Sequence, residues 1–224
     1  MSISADDLRQ RLDEMRRELE QLRTAASIEV REKLANPAPL GLAGFGLTTL
    51  LLNIVNADLI PKSSIGMVLP VGLFYGGIAQ FAAGMWEAKK NNTFGFTAFS
   101  SFGAFWLALG TMIILKDLAV IDPVPKNGMS VFLGCWGGFT TYMFIGTLRL
   151  SRALQVVFAS LALLFFLLTW GERNDDVLKI AGWEGIFCAC SALYTSFALV
   201  INETWGRYVL PLGIMKPGKP FYLP

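Results

Sequence analysis

Six apolar segments, near residues 39–57, 64–86, 96–115, 129–148, 153–171 and 180–202, follow one another with only short polar breaks. Each approaches the ~20 residues an α-helix needs to cross ~30 Å of hydrocarbon. A backbone in lipid must satisfy its own hydrogen bonds, and apolar runs of this length do so as helices. The predicted fold is an all-α membrane protein with six transmembrane helices. Composition agrees: 54% of the 224 residues are hydrophobic and 16% charged. A soluble domain of this size could not bury that surface and keep a solvated exterior. The breaks read as loops, and "KDLAVIDPVPKNG", rich in Pro and Asp, is the longest of them.

The cations predict an orientation. With the N-terminus inside, fourteen Lys and Arg fall on the inner side: seven before the first span, then Lys89, Lys90, Arg149, Arg152, Arg207, Lys216 and Lys219. Lys62, Lys116, Lys126, Arg173 and Lys179 make five outside. That imbalance favours two cytoplasmic termini, in a plasma membrane or a bacterial inner membrane. The first 33 residues carry no apolar core, so the first span is expected to act as its own insertion signal.

Ahead of the spans, "SADDLRQRLDEMRRELEQLRTAAS" reads as a helix capped by Ser4, with Asp7 three residues on. Leu8, Leu12, Met15, Leu19 and Leu22 are spaced 4, 3, 4, 3, a heptad seam. Two readings stay open: a short coiled coil, or an amphipathic helix lying on the membrane or on the protein's own loops. The domain organisation expected is a cytoplasmic helix over 1–35, a six-helix membrane domain over 36–213 and a cytoplasmic tail over 214–224.

Several function classes are excluded or disfavoured. The chain has no histidine, which removes histidine-based catalysis, metal ligation and pH sensing. Cys135, Cys188 and Cys190 lie in apolar runs and are expected to be buried thiols. A net charge of +2 is too small to suggest nucleic acid. No nucleophile has an evident base, so no enzyme, metal or cofactor is expected.

The spans carry a sparse polar pattern. Phe45, Thr49, Asn53 and Asn56 share a face of the first helix. Gly72, Gly76, Gln80 and Gly84 recur at strict fours in the second. Thr97, Ser100, Ser101, Ala104, Ala108 and Thr111 form a small stripe on the third, and Gln155 marks the fifth. Most of the glycines fit close helix packing. Asn53 and Gln80 fit either of two roles, bonding across helices or facing water in a pore. Glu87, Glu184, Glu203, Arg149 and Arg152 all fall near helix ends by count, which argues against a buried carboxylate relay. Asn36 as N-cap and Pro37 as first helical residue would open the first span and offer free N–H groups to an anion. Leu40-Gly41-x-x-Gly44 with Thr48-Thr49 is echoed by Leu133-Gly134-x-x-Gly137 with Thr140-Thr141, which suggests an inverted three-plus-three repeat.

"NPAPLGL" (Asn36 to Leu42) resembles the signature of the acetate uptake transporters, the family of bacterial succinate–acetate permeases and fungal ammonia/acetate membrane proteins. "FYGGIAQFAAGMWEAKKNNTFGFTAFSSFGAFWL", "LGCWGGFTTYMFIGTLR", "LQVVF", "AGW" and "NETWGRYVLPLG" follow in order, so the resemblance covers about 34–213. It implies six helices with cytoplasmic termini, a homo-hexamer and one path per protomer. It also implies an apolar constriction formed by Phe45, Phe102 and Leu161. Bacterial permeases often carry tyrosine at the position of Phe102, so one hydroxyl is missing from the path here.

The expected function is uptake of acetate and related short carboxylates, succinate included, with apparent proton coupling that needs no buried carboxylate. Asn36, Thr49, Asn53, Gln80, Thr97, Ser101 and Gln155 are the candidate donors along the path. Two rivals stay open: a channel for a neutral solute such as urea or ammonia, and a scaffolding or sensory protein that recruits partners through the heptad helix.

Overall fold

The structure is a computed structural model and describes residues 5–215. Among these residues it is all helix apart from turns and a single bridge between Ser151 and Ile214. The chain divides into two compact units, Met1–Asn36 and Pro37–Pro224. The first is α1 (Ala5–Lys33), which runs six residues beyond the stretch that predicted it. Leu12, Met15, Leu19 and Leu22 form an exposed stripe along it. Ser4, the expected cap, lies outside the described residues, as do the tail cations Lys216 and Lys219.

The second unit holds α2 (Ala38–Asn56), α3 (Ile65–Val71), α4 (Gln80–Lys89), α5 (Thr93–Asp117), α6 (Lys126–Thr147), α7 (Arg152–Gly171) and α8 (Asp175–Thr204). A 3₁₀ turn, α3, a π-helical segment (Gly72–Ala79) and α4 stack into one rod from Lys62 to Lys89. The six rods match the six apolar segments to within about five residues at each end. Five of them are long and apolar enough to cross a membrane. The one that falls short is α6, whose 22 residues are diluted by glycine, threonine and serine.

Packing order makes these rods a ring. The helix pair with the most extensive contact is α2 with α8; α7 packs on α8, α6 on α7, α4 and the π segment on α5, and both on α2. The remaining seam, α5 against α6, has little backbone contact. Aromatic side chains close it: Phe105 meets Phe132 and Trp136, and Phe102 meets Trp136 and Phe139, with ring centroids 5.1–5.9 Å apart. The tightest seam depends on two glycines of α8. A Cβ at Gly182 would lie 2.2 Å from the Ala57 nitrogen, and one at Gly185 would lie 2.2 Å from Asn53 Cγ.

The π segment follows from its sequence and neighbours. Pro70 lacks an N–H and interrupts the ladder one turn earlier. Gly44 then admits the Tyr75 carbonyl, where a Cβ would stand 2.6 Å from that oxygen, and Thr48 Oγ1 donates to the Val71 carbonyl at 3.5 Å.

Several local expectations need correction. The α2 helix starts at Ala38, with Pro37 at the cap and no side-chain cap bond, so Asn36 is not its N-cap. Pro39 at the second helical position has no N–H for a cap to bind. Side chains do cap later helices: Asn92 accepts from Gly95 N at 3.1 Å, Ser151 from Leu154 N at 3.2 Å, and Asn174 from Asp176 N and Val177 N at 3.0 and 3.1 Å. Of the cysteines only Cys188 is buried; Cys135 on α6 and Cys190 on α8 are exposed, so the expectation of buried thiols holds for one of the three.

After α8 the chain turns back. Asn202 Oδ1 accepts from Val209 N and Leu210 N at 2.7 and 2.8 Å, Tyr194 donates to the Pro211 carbonyl at 2.8 Å, and Met215 N donates to the Leu150 carbonyl at 2.9 Å. Ile214 and Met215, expected as free tail, are thus tied to the start of α7, and Leu212 is buried over the end of the ring.

Candidate functional site

Among the described residues, two cavities of the ring are large enough to hold a short carboxylate and carry polar side chains. The larger, about 260 Å³, is lined by Phe45, Thr49 and Asn53 of α2, Phe102, Phe105 and Trp106 of α5, Leu133 of α6, and Leu161, Leu164 and Phe165 of α7. It extends to Asn56, Ile113, Glu172 and Leu178, at the end where α2, α5 and α7 finish and α8 begins. The smaller, about 160 Å³, is lined by Leu42, Glu87, Phe94, Phe99, Ser151, Leu154, Phe158, Thr195 and Leu212, at the opposite end. The two share no lining residue.

Aromatic and leucine side chains stand between them. Phe45, Phe102 and Leu161 come from three helices, are all buried, and line the larger cavity together. Phe102 is the hub. Phe45, Trp136, Phe139, Phe158 and Phe165 surround its ring at centroid distances of 5.6–6.4 Å. Phe158, which lines the smaller cavity, touches Phe102, which lines the larger. Phe105, Trp106, Trp136 and Phe158 were not singled out by residue reading. Inside a generally apolar helix nothing in the pattern marks which aromatic turns inward.

The larger cavity is apolar with a few placed polar atoms. Asn53 Nδ2 donates to the Thr49 carbonyl at 2.9 Å, and Asn56 Nδ2 donates to Asn53 Oδ1 at 3.2 Å. Thr49 Oγ1 and Trp106 Nε1 are buried and have no hydrogen-bond partner. A buried N–H or O–H left unpaired costs about 1–3 kcal/mol, so two lone donors on one cavity wall form a natural seat for an acceptor. Glu172 sits at this cavity's open end, where burial pushes its carboxyl above the ordinary range and Lys126 opposes that rise.

The other candidate donors lie elsewhere. Gln80 is 1% exposed, packs beside Gly44 and lines neither cavity; its Oε1 is unpartnered. Thr97 and Ser101 are partly buried on α5 and also line neither. Gln155 accepts from Arg152 Nη1 at 2.8 Å and donates to the Thr147 carbonyl at 3.4 Å, which uses its amide to tie α7 to the end of α6. Asn36 belongs to the N-terminal unit.

One acidic group, Glu184, reaches deeper than the sequence count suggested. Glu184 Oε1 accepts from Ser160 Oγ at 2.6 Å, and Ser160 lies near the middle of the 20-residue α7. The 30 residues of α8 extend roughly 45 Å. Counting from its end therefore misjudges the depth of Glu184. Glu87 is 2% exposed. The expectation that these carboxylates fall near helix ends holds for Glu87, two residues from the end of α4 though buried there, and fails for Glu184.

A family model described as the GPR1/FUN34/yaaH family matches residues 20–215. The chain is 50% identical over 183 residues to the succinate-acetate/proton symporter SatP of Escherichia coli K12, a match covering 81% of this chain and 96% of that one. It is 34% identical to acetate permease A of Emericella nidulans, covering 83% of this chain and 68% of the other. Its identity to ammonia transport outward protein 2 of Saccharomyces cerevisiae is 35%, covering 85% and 70%. A solved structure of the bacterial acetate channel SatP superposes with a TM-score of 0.78 at 50% identity, covering 81% of this chain and all of that one. With its apolar helices, the chain is an integral membrane protein.

Proposed function

The chain belongs to the GPR1/FUN34/yaaH family, and on that premise we propose that it is a transporter, not an enzyme, which passes acetate and related short carboxylates, succinate among them, together with a proton. The observation that carries this reading is a pair of cavities that share no lining residue and adjoin where the Phe158 ring of the smaller touches the Phe102 ring of the larger. One bears two unpartnered donors on an apolar wall. A carboxylate is costly to strip of water, and the undissociated acid much less so. Thr49 Oγ1 and Trp106 Nε1 would hold the solute's oxygens while its methyl faces the rings. The aromatic gate would then pass the neutral acid, which couples flux to the proton.

The names of the relatives support the same class: a succinate-acetate/proton symporter, an acetate permease and an acetate channel. We further propose six spans, α6 among them, with both termini cytoplasmic and the smaller cavity at the inner mouth. The protein would act as a homo-hexamer with one path per protomer. An ammonia transport relative keeps a neutral-solute path as the second reading.

Uptake of labelled acetate into proteoliposomes tests the proposal. An inward proton gradient is expected to raise uptake above that of protein-free vesicles under the same gradient. Uptake equal to the protein-free control, or indifferent to the gradient, would contradict it.

A further inference from the structure

Two carboxylates among the described residues carry a buried oxygen with no partner, Glu87 Oε1 and Glu184 Oε2. Glu87 lines the smaller cavity, and Glu184 lines neither. The Glu87 side chain is held in place. Its Oε2 accepts from Asn92 Nδ2 at 2.7 Å, and Asn92 is itself fixed as the cap of α5 through Gly95 N. Gly95 leaves the room for this: a Cβ there would lie 2.8 Å from the Glu87 carboxyl carbon. One oxygen is thus anchored while the other remains an unused acceptor. Lys90, on the following turn, is the cation whose field reaches it. The elements packed against α4 present uncharged cavity residues: Leu42 from α2 and Phe94 and Ala98 from α5. Across the cavity α7 and α8 present Ser151 and Thr195. Glu87 is therefore the one ionisable group on that wall.

We propose that Glu87 is the proton exchange site of the smaller cavity. It accepts the proton of an undissociated short carboxylic acid that has passed the constriction, and returns it to an anion moving the other way. In the forward step the acid's O–H bond breaks and an O–H bond forms on Glu87 Oε1, leaving a free carboxylate and a neutral Glu87. Glu87 then releases its proton to water at the mouth. An apolar cavity disfavours an unpaired anion, and a carboxylate that exchanges the proton there lets the solute change form without first reaching bulk water. The inference rests on the transport reading above, and assigns the coupling to a residue that the expectation of carboxylate-free coupling left out.

The test is labelled-acetate exchange in proteoliposomes at equal internal and external pH, from pH 5.5 to 8. If only free acid from solution is carried, flux falls about tenfold per pH unit once the acid is mostly ionised. The wild type is expected to fall less steeply, because Glu87 supplies the proton, and E87Q is expected to fall by the full tenfold. E184Q is expected to keep the wild-type slope. An E87Q slope equal to that of wild type, or an E184Q slope as steep as that of E87Q, overturns the assignment. No wild-type exchange above protein-free vesicles would instead defeat the transport reading itself. A measurement on the unaltered chain guards against misfolding of E87Q: carbodiimide labelling of Glu87, read by peptide mass, is expected to slow severalfold in excess acetate. Absent labelling, or labelling indifferent to acetate, also overturns the assignment.

Discussion

Leu161→Ala is expected to raise the ratio of succinate to acetate flux by about tenfold or more. The estimate comes from discrimination in apolar sites, where each methylene is worth about 1–3 kcal/mol, and this substitution removes three carbons from the wall. Leu161 is buried beside Phe45 and Phe102 on the larger cavity, so the space opens towards the solute. Truncating a buried leucine also costs about 2–5 kcal/mol of stability, and thermal unfolding in detergent should accompany the flux measurement. Leu161→Val removes less and should lie between the two. A folded Leu161→Ala protein with unchanged selectivity would remove Leu161 from the gate.

Thr49→Val keeps shape and removes the hydroxyl, and Trp106→Phe removes the indole N–H. Each is expected to weaken acetate binding severalfold, up to about tenfold, since a hydrogen bond between neutral groups contributes about 0.5–1.5 kcal/mol. The effect should appear in the half-saturating concentration, because both residues line the cavity and neither is one of the three constriction residues. Both donors are unpartnered in the structure, so neither substitution leaves a native hydrogen-bond acceptor stranded. A pair of variants with wild-type saturation curves would show that the solute does not rest on these atoms.

The helices were legible because the code for them is coarse. An apolar run near 20 residues, ended by Pro, Gly, Asp or Asn, predicts a rod, and the structure has such rods at all six places. The face Phe45, Thr49, Asn53 and Asn56 was also readable, because spacings of four and three fix a side of a helix. All four residues line the larger cavity. What escaped depends on relations between helices. Trp106 reads as one more aromatic until its Nε1 is found buried and unpaired in a residue that lines the same cavity as Thr49. Gln80 and Gln155 look like Asn53 in sequence, yet one packs against α2 and the other ties off a helix end. The depth of Glu184 follows from its pairing with Ser160 across α7 and α8, and no count along α8 reports that. The π segment follows from Pro70 together with the close approach of Gly44 and Thr48, which are remote in sequence. The shortfall of α6 is compositional: Gly134 and Gly137 make room for α7, Thr140 and Thr141 bond back to their own helix, and both kinds of residue lower its hydropathy.

The most direct measurement of the central claim is counterflow into vesicles preloaded with unlabelled solute, comparing acetate, succinate and urea as preloads for labelled acetate. Unlabelled acetate should drive the largest transient accumulation of label, succinate a smaller one, and urea none beyond protein-free vesicles. Labelled urea flux that exceeds the protein-free control, together with acetate flux that does not, would contradict the account and give the path to a neutral solute.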